Sequence, residues 1–149
     1  FQTKKELRQG GPLSPILFNL ITYMLDVLIE RSKNLNYFDG LVPHLLEDGL
    51  SILQYVNDTI LFLEYDLEKA KNLKLVLCAF EKSSGLKINF HKSELFSLGE
   101  TKQRTSEYVE LFGCKEGVLP FRYLGILMSP RRISNKDWRV VEGKILKKT

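Results

Sequence analysis

Two apolar runs meet at a short polar tip, and that meeting restricts the fold more than any other feature of the chain. Leu50, Ile52 and Leu53 precede Tyr55-Val56-Asn57-Asp58, and Ile60, Leu61, Phe62 and Leu63 follow it. Two strands joined by a tight turn are predicted, with Asn57 and Asp58 at the tip. A hairpin that presents an acidic residue from a buried sheet is a suitable place to hold a metal ion. An Asn-Asp turn is common by itself, so its meaning depends on its neighbours.

Those neighbours alternate between helical and strand periods. Ser14-Pro15 is a good helix start, an N-cap hydroxyl followed by proline at the first helical position. Ile16, Leu17, Leu20, Ile21, Met24, Leu25, Leu28 and Ile29 then recur at three- and four-residue steps, predicting a helix to about Arg31. Residues 36–49 are turn-rich, with a short strand expected around Leu41-Val42. Leu67, Ala70, Leu73, Leu77 and Phe80 mark a second helix over 66–84, stopped by Gly85. Leu86, Ile88 and Phe90 alternate as a strand, which residues 94–98 extend or pair. A helix over 101–112 ends at Gly113, and Phe121 to Met128 reads as two short strands bent at Gly125. Ser134-Asn135-Lys136-Asp137 resembles a capping box before Trp138 and a last helix. The class is α+β with an antiparallel sheet.

Composition narrows the function classes. At 149 residues, with 44% hydrophobic and 27% charged residues, the chain is one globular domain or part of one. The net charge of +4 is a mild lean towards polyanions, with basic residues concentrated near the two ends. Cys78 and Cys114 lie in or near apolar stretches and read as buried thiols. His44 and His91 share no metal-ligand spacing with each other or with the cysteines, which argues against a zinc site. No apolar run reaches the roughly 18 residues of a membrane span, and no signal peptide is visible. The chain opens on Phe1 and closes in an apparent helix, so both ends are read as cut.

Before the first helix runs Arg8-Gln9-Gly10-Gly11-Pro12-Leu13-Ser14-Pro15-Ile16-Leu17-Phe18-Asn19. A basic, glycine-rich loop entering a helix N-terminus lets backbone approach a phosphate or base closely. This segment resembles the second conserved block of the reverse transcriptases of non-LTR retrotransposons, usually Arg-Gln-Gly-Asp-Pro-Leu-Ser-Pro. Residues 53–62, around Tyr55-Val56-Asn57-Asp58, look like the third block, usually Tyr-Ala-Asp-Asp. Ser84-Gly85-Leu86-Lys87-Ile88-Asn89 with Lys92-Ser93-Glu94 is similar to the fourth, and Leu119-Pro120-Phe121-Arg122-Tyr123-Leu124-Gly125 to the fifth. The wording is closest to the elements abundant in plants.

The resemblance implies a partial polymerase palm over residues 1–126, with 127–149 starting the thumb. It implies a DNA primer extended on an RNA template from dNTPs, with two Mg2+ ions held by carboxylates, and a nuclear site of action. Asn57 and Asp58 fall on the paired catalytic, metal-binding aspartates. Arg8, Gln9 and Gly10 match the loop against the incoming nucleotide, and Lys92 is a candidate for its triphosphate, with a solvated surface lysine as the alternative. Phe121, Arg122, Tyr123 and Gly125 match the hairpin that holds the primer end, with a role in hairpin packing as the alternative. Ser14 and Pro15 are read as capping residues.

Three departures from the family pattern bear on activity. The block that supplies the remaining catalytic aspartate is expected before Phe1, outside this sequence. Asn57 replaces the first aspartate of the pair, and an amide oxygen brings a metal no negative charge. Gly11 replaces an aspartate, and Glu6 a commonly found glycine. The chain as given is expected not to polymerise, and the sheet edge left by the absent strand is expected to make it poorly soluble. A non-catalytic binder of primer-template and a product with no function of its own are the alternatives. The oligomeric state is not fixed by the sequence.

Overall fold

A computed structural model describes residues 13–41, 49–56, 58–98, 104–131, 134, 138, 139 and 143. It has the α+β architecture expected, and it divides into two units, residues 1–88 and 89–149, each described separately below.

In the first unit, α1 (Ser14–Asn34) packs against α2 (Leu67–Ser84), and a hairpin of β1 (Ile52–Tyr55) and β2 (Asp58–Leu61) lies between them in sequence. Helix α1 starts one residue earlier than expected. Leu17 N–H donates to the Leu13 carbonyl at 3.0 Å, making Leu13 the cap and Ser14 the first helical residue. Pro15 then sits in the first turn, where backbone N–H groups have no helical partner to lose. The helix also runs three residues past Arg31, with Arg31 and Lys33 in its last turn, where cations suit the exposed carbonyls. Asn36, at φ 58°, turns the chain away in a conformation that asparagine tolerates better than most residues.

Helix α2 follows its sequence closely. The Asp66 side chain accepts from the N–H groups of Glu68 and Lys69 at 2.8 and 3.2 Å, and Gly85 ends the helix at φ 73°. Its Ala70, Leu73, Leu77 and Phe80 are buried, as are Leu25 and Ile29 on α1 and Phe38 after it. Each large apolar side chain so buried stabilises the unit by about 1.5–3 kcal/mol. Leu41 and Leu50 form a β-bridge through hydrogen bonds of 2.8 and 2.7 Å, the short strand expected there; Val42 lies outside the described residues. At the base of that bridge Gly40 and Gly49 come so close that a Cβ on Gly40 would stand 2.7 Å from the Gly49 carbonyl carbon.

The strand expected over Leu86-Ile88-Phe90 does not form. Side chains take the backbone donors a ladder would need: Leu86 N–H donates to Ser84 Oγ at 3.1 Å, and Ile88 N–H to Glu81 Oε1 at 2.7 Å. Residues 90–92 form a single 3-10 turn, capped by the Asn89 side chain.

In the second unit, β3 (Glu94–Leu95) pairs with β4 (Lys115–Glu116), and the pairing is parallel. Between them α3 (Thr105–Phe112) buries Thr105, Tyr108 and Phe112 and ends at Gly113, φ 66°. Residues 101–103 of the expected helix lie outside the described residues. Beyond β4, β5 (Phe121–Tyr123) and β6 (Ile126–Met128) form a second antiparallel hairpin, bent at Leu124-Gly125 as expected. The Phe96 and Phe121 rings stack at 4.1 Å, and Gly117 passes over Phe96 where no side chain fits. Trp138 and Arg139 are helical, and Trp138 N–H donates to the Ser134 carbonyl at 3.3 Å. Residues 135–137 of the expected capping box lie outside the described residues.

Candidate functional site

The hairpin of β1 and β2 sets the frame of the site. Its register pairs Ile52 with Leu61, Leu53 with Ile60, Gln54 with Thr59, and Tyr55 with Asp58. Asp58 is therefore the first residue of β2 rather than part of the tip, and Val56 takes the tip instead. The closing pair holds the Asp58 backbone in the ladder, so its exposed side chain leaves the sheet from a fixed point. Val56 has φ 52°, a conformation unusual for any residue with a Cβ and more so for a β-branched one.

The hairpin is tied to its surroundings by polar contacts. Phe62 N–H donates to the Ser51 carbonyl at 2.8 Å, and Gln54 Nε2 reaches the Thr22 carbonyl on α1 at 3.4 Å. Past β2, Lys69 bridges Glu64 at 2.6 Å and Asp39 at 2.5 Å, fastening the exit of the hairpin to the loop after α1. The hydrogen bonds to Asp39, then to Glu64, hold the Lys69 ammonium above the ordinary lysine range.

Between the hairpin and the start of α1 lies an open hollow of about 650 Å³, lined by Ser14, Pro15, Phe18, Asn19, Ile21, Gln54, Tyr55, Val56 and Leu86. Its lining is mostly apolar. Ser14 and Pro15, read as capping residues, thus also border it. Sequence reasoning missed Gln54 and Leu86 as parts of one wall, since Leu86 was expected in a strand.

A divalent cation of the Mg2+ type needs several hard oxygen ligands, usually more than one charged. Asp58 supplies one carboxylate and Asn57 a neutral amide. Among the described residues no group of three or more His, Cys, Asp or Glu side chains is placed to hold a metal ion. The donor set at this hairpin does not fit such an ion.

The other expected site residues are distributed as follows. Arg8, Gln9, Gly10 and Asn57 lie outside the described residues. Lys92 is exposed at the end of the 3-10 turn. On β5, Phe121 stacks on Phe96, Arg122 is exposed, and Tyr123 is half-buried with its hydroxyl shut away from solvent and without a hydrogen-bond partner. Gly125 turns that hairpin at φ 83°. Phe121 is thus engaged in packing, while Arg122 presents its charge outward.

Comparison with known proteins bears on both hairpins. The family model for reverse transcriptase (RNA-dependent DNA polymerase) matches residues 1–128. The chain is 25% identical over 134 residues to the retrovirus-related Pol polyprotein from type-1 retrotransposable element R2 of Popillia japonica, a match covering 83% of this chain. It spans 20% of that relative's length.

Proposed function

The chain belongs to the reverse transcriptase family, and from that premise we propose that its β1–β2 hairpin is a polymerase hairpin that has lost half of its metal-binding charge. The sequence is a reverse transcriptase segment of a non-LTR retrotransposon. Such enzymes in general use divalent metal ions, a nucleic-acid template and primer, and dNTPs. In this reading residues 1–126 are palm and 127–149 begin the thumb.

The observation that carries the proposal is the Tyr55–Asp58 pair, which fixes one exposed carboxylate beside a two-residue turn. Asp58 is the remaining acidic ligand, and Asn57 occupies the position of its partner. Arg8, Gln9 and Gly10 border the incoming nucleotide, and Lys92 serves its phosphates. Arg122 meets the primer backbone, with Phe121, Tyr123 and Gly125 shaping the hairpin that carries it. With Asn57 in place, Asp58 and the basic residues still position nucleic acid, and phosphoryl transfer is impaired. One missing unit charge next to a cation amounts to several kcal/mol, about 4 at 4 Å and an effective dielectric near 20.

The test is primer extension by the longest natural translation product, beside its Asn57→Asp variant, on an RNA template. Activity that appears or rises strongly in the variant supports the proposal; equal activity overturns it. A second reading, a non-catalytic binder of primer-template, is favoured by the net positive charge and the outward Arg122. It requires RNA–DNA hybrid binding that weakens steeply with salt, since phosphate contacts release counterions. Absence of both extension and binding leaves a product with no function of its own.

A further inference from the structure

Helix α1 is apolar on two faces. One, with Leu25 and Ile29, is buried within the unit. On the other, Leu13, Ile16, Leu20 and Tyr23 are 58–66% exposed. With the half-buried Val27 they follow one another at steps of three, four, three and four residues. A surface helix needs one apolar stripe; a second one marks a second packing partner. The alternating step is the spacing by which one helix receives another, and a strand's two-residue period would not match it.

Charge narrows the partner further. Asp26 and Glu30 stand one turn apart beside this stripe, exposed, and form no ion pair among the described residues. Together with Tyr23, Val27 and Arg31 they line a shallow groove of about 370 Å³. We propose that this face is a docking seam for an amphipathic helix with apolar residues at the same three-four spacing and Lys or Arg opposite Asp26 and Glu30. The helix is supplied in cis, by reverse transcriptase polypeptide outside these 149 residues. The chain spans 20% of its R2 relative, and a tethered helix acts at millimolar effective concentration. The inference rests on family membership and not on the chemistry proposed for Asn57 and Asp58.

The experiment places a reporter on the seam without disturbing the buried face. Leu20→Cys is introduced into the longest natural translation product, and folded and urea-unfolded samples are compared. Each is pulsed with a maleimide and read peptide by peptide, so that Cys78 and Cys114 are counted separately. Leu20 is 65% exposed within these 149 residues, so a thiol there should label roughly 10-fold or more slowly in the folded sample than in the unfolded one only if the seam is covered, labelling then waiting for local opening. A carbodiimide should join Asp26 or Glu30 to a lysine of the same long polypeptide outside residues 1–149. Equal labelling of the two samples overturns the proposal, as does a cross-link between two copies, which would make the seam a dimer interface. Loss of primer extension alone leaves thiol protection unchanged, so the two proposals fail separately.

Discussion

The β1–β2 and β5–β6 hairpins each turn in two residues after a tyrosine, Tyr55 in the first and Tyr123 in the second. Tight hairpin turns of this kind favour positive φ at their central positions, and glycine or asparagine usually supplies it. In the second hairpin Leu124 at φ 52° is followed by Gly125 at φ 83°, so one of the two positions is free of strain. In the first, Val56 takes φ 52° with a branched side chain, a conformation that costs about 1–3 kcal/mol. Val56 also lines the hollow beside α1, while Asp58 follows it into the ladder. Both hairpins thus hold a residue with a Cβ at positive φ in the first turn position, and there they differ in branching, valine in the first and leucine in the second. In the proposed reading the first presents a side chain to chemistry, and the second gives shape to a grip.

The widest separation between the two hairpins is expected in catalysis. Asn57→Asp in the longest translation product should raise primer extension by about 100-fold or more, the equivalent of about 3 kcal/mol of transition-state stabilisation. Arg122→Ala should leave the rate at saturating primer nearly unchanged and weaken hybrid binding at low salt. A collapse of the saturated rate in Arg122→Ala would end the division of labour.

Stability should separate them next, and here the second hairpin is the more fragile. A Cβ on Gly117 would lie 2.6 Å from Phe96 Cζ, and the Phe96 ring is backed by Phe121 of β5. Gly117→Ala is expected to cost about 1–3 kcal/mol, the usual range for overpacking, measured by urea unfolding. An unchanged midpoint would mean that the aromatic pair slides aside, and the second hairpin would not depend on it.

The turn residues themselves test the comparison directly. Gly125→Val should destabilise the chain by about 1–2 kcal/mol, since valine resists positive φ. Val56→Gly should do the opposite, gaining up to about 1 kcal/mol, with the added freedom of the unfolded chain setting the limit. A destabilising Val56→Gly would show that packing along the hollow outweighs backbone strain. The sequence could not reveal this strain, because nothing in Tyr55-Val56-Asn57-Asp58 states which two residues turn. With Asn57 and Asp58 read as the tip, the strained position went unnoticed. By contrast, α2 was legible to within one residue, since Gly85 acts locally and the apolar face repeats, while Asp66, read as helical, is its cap. The alternation of Leu86, Ile88 and Phe90 misled because the donors of Leu86 and Ile88 are taken by the side chains of Ser84 and Glu81, a local capture that a two-residue period does not carry. Of the outward stripe of α1 only Ile16 and Leu20 belong to the apolar periodicity read from the sequence; Leu13, Tyr23 and Val27 join it once the structure separates the two faces.

The smallest effect is expected at the fastening of the first hairpin. Lys69 holds Glu64, three residues past the end of β2, and Asp39. Among the described residues no ion pair involves residues 121–128, so the fastening belongs to one hairpin only. Both carboxylates are exposed, and solvent screens most of their attraction. Lys69→Met should therefore lower the melting temperature slightly, and less in high salt. The pH dependence has a definite sign. The folded state raises the Lys69 pKa, so the stabilisation is full below the ordinary lysine value of 10.5 and fades as pH rises through the folded one. The melting-temperature gap between wild type and Lys69→Met should be constant from pH 7 to 10 and narrow above that. A gap that ignores both salt and alkaline pH would assign the fastening to the lysine's hydrocarbon stem, and the first hairpin would then be held as the second is, by packing.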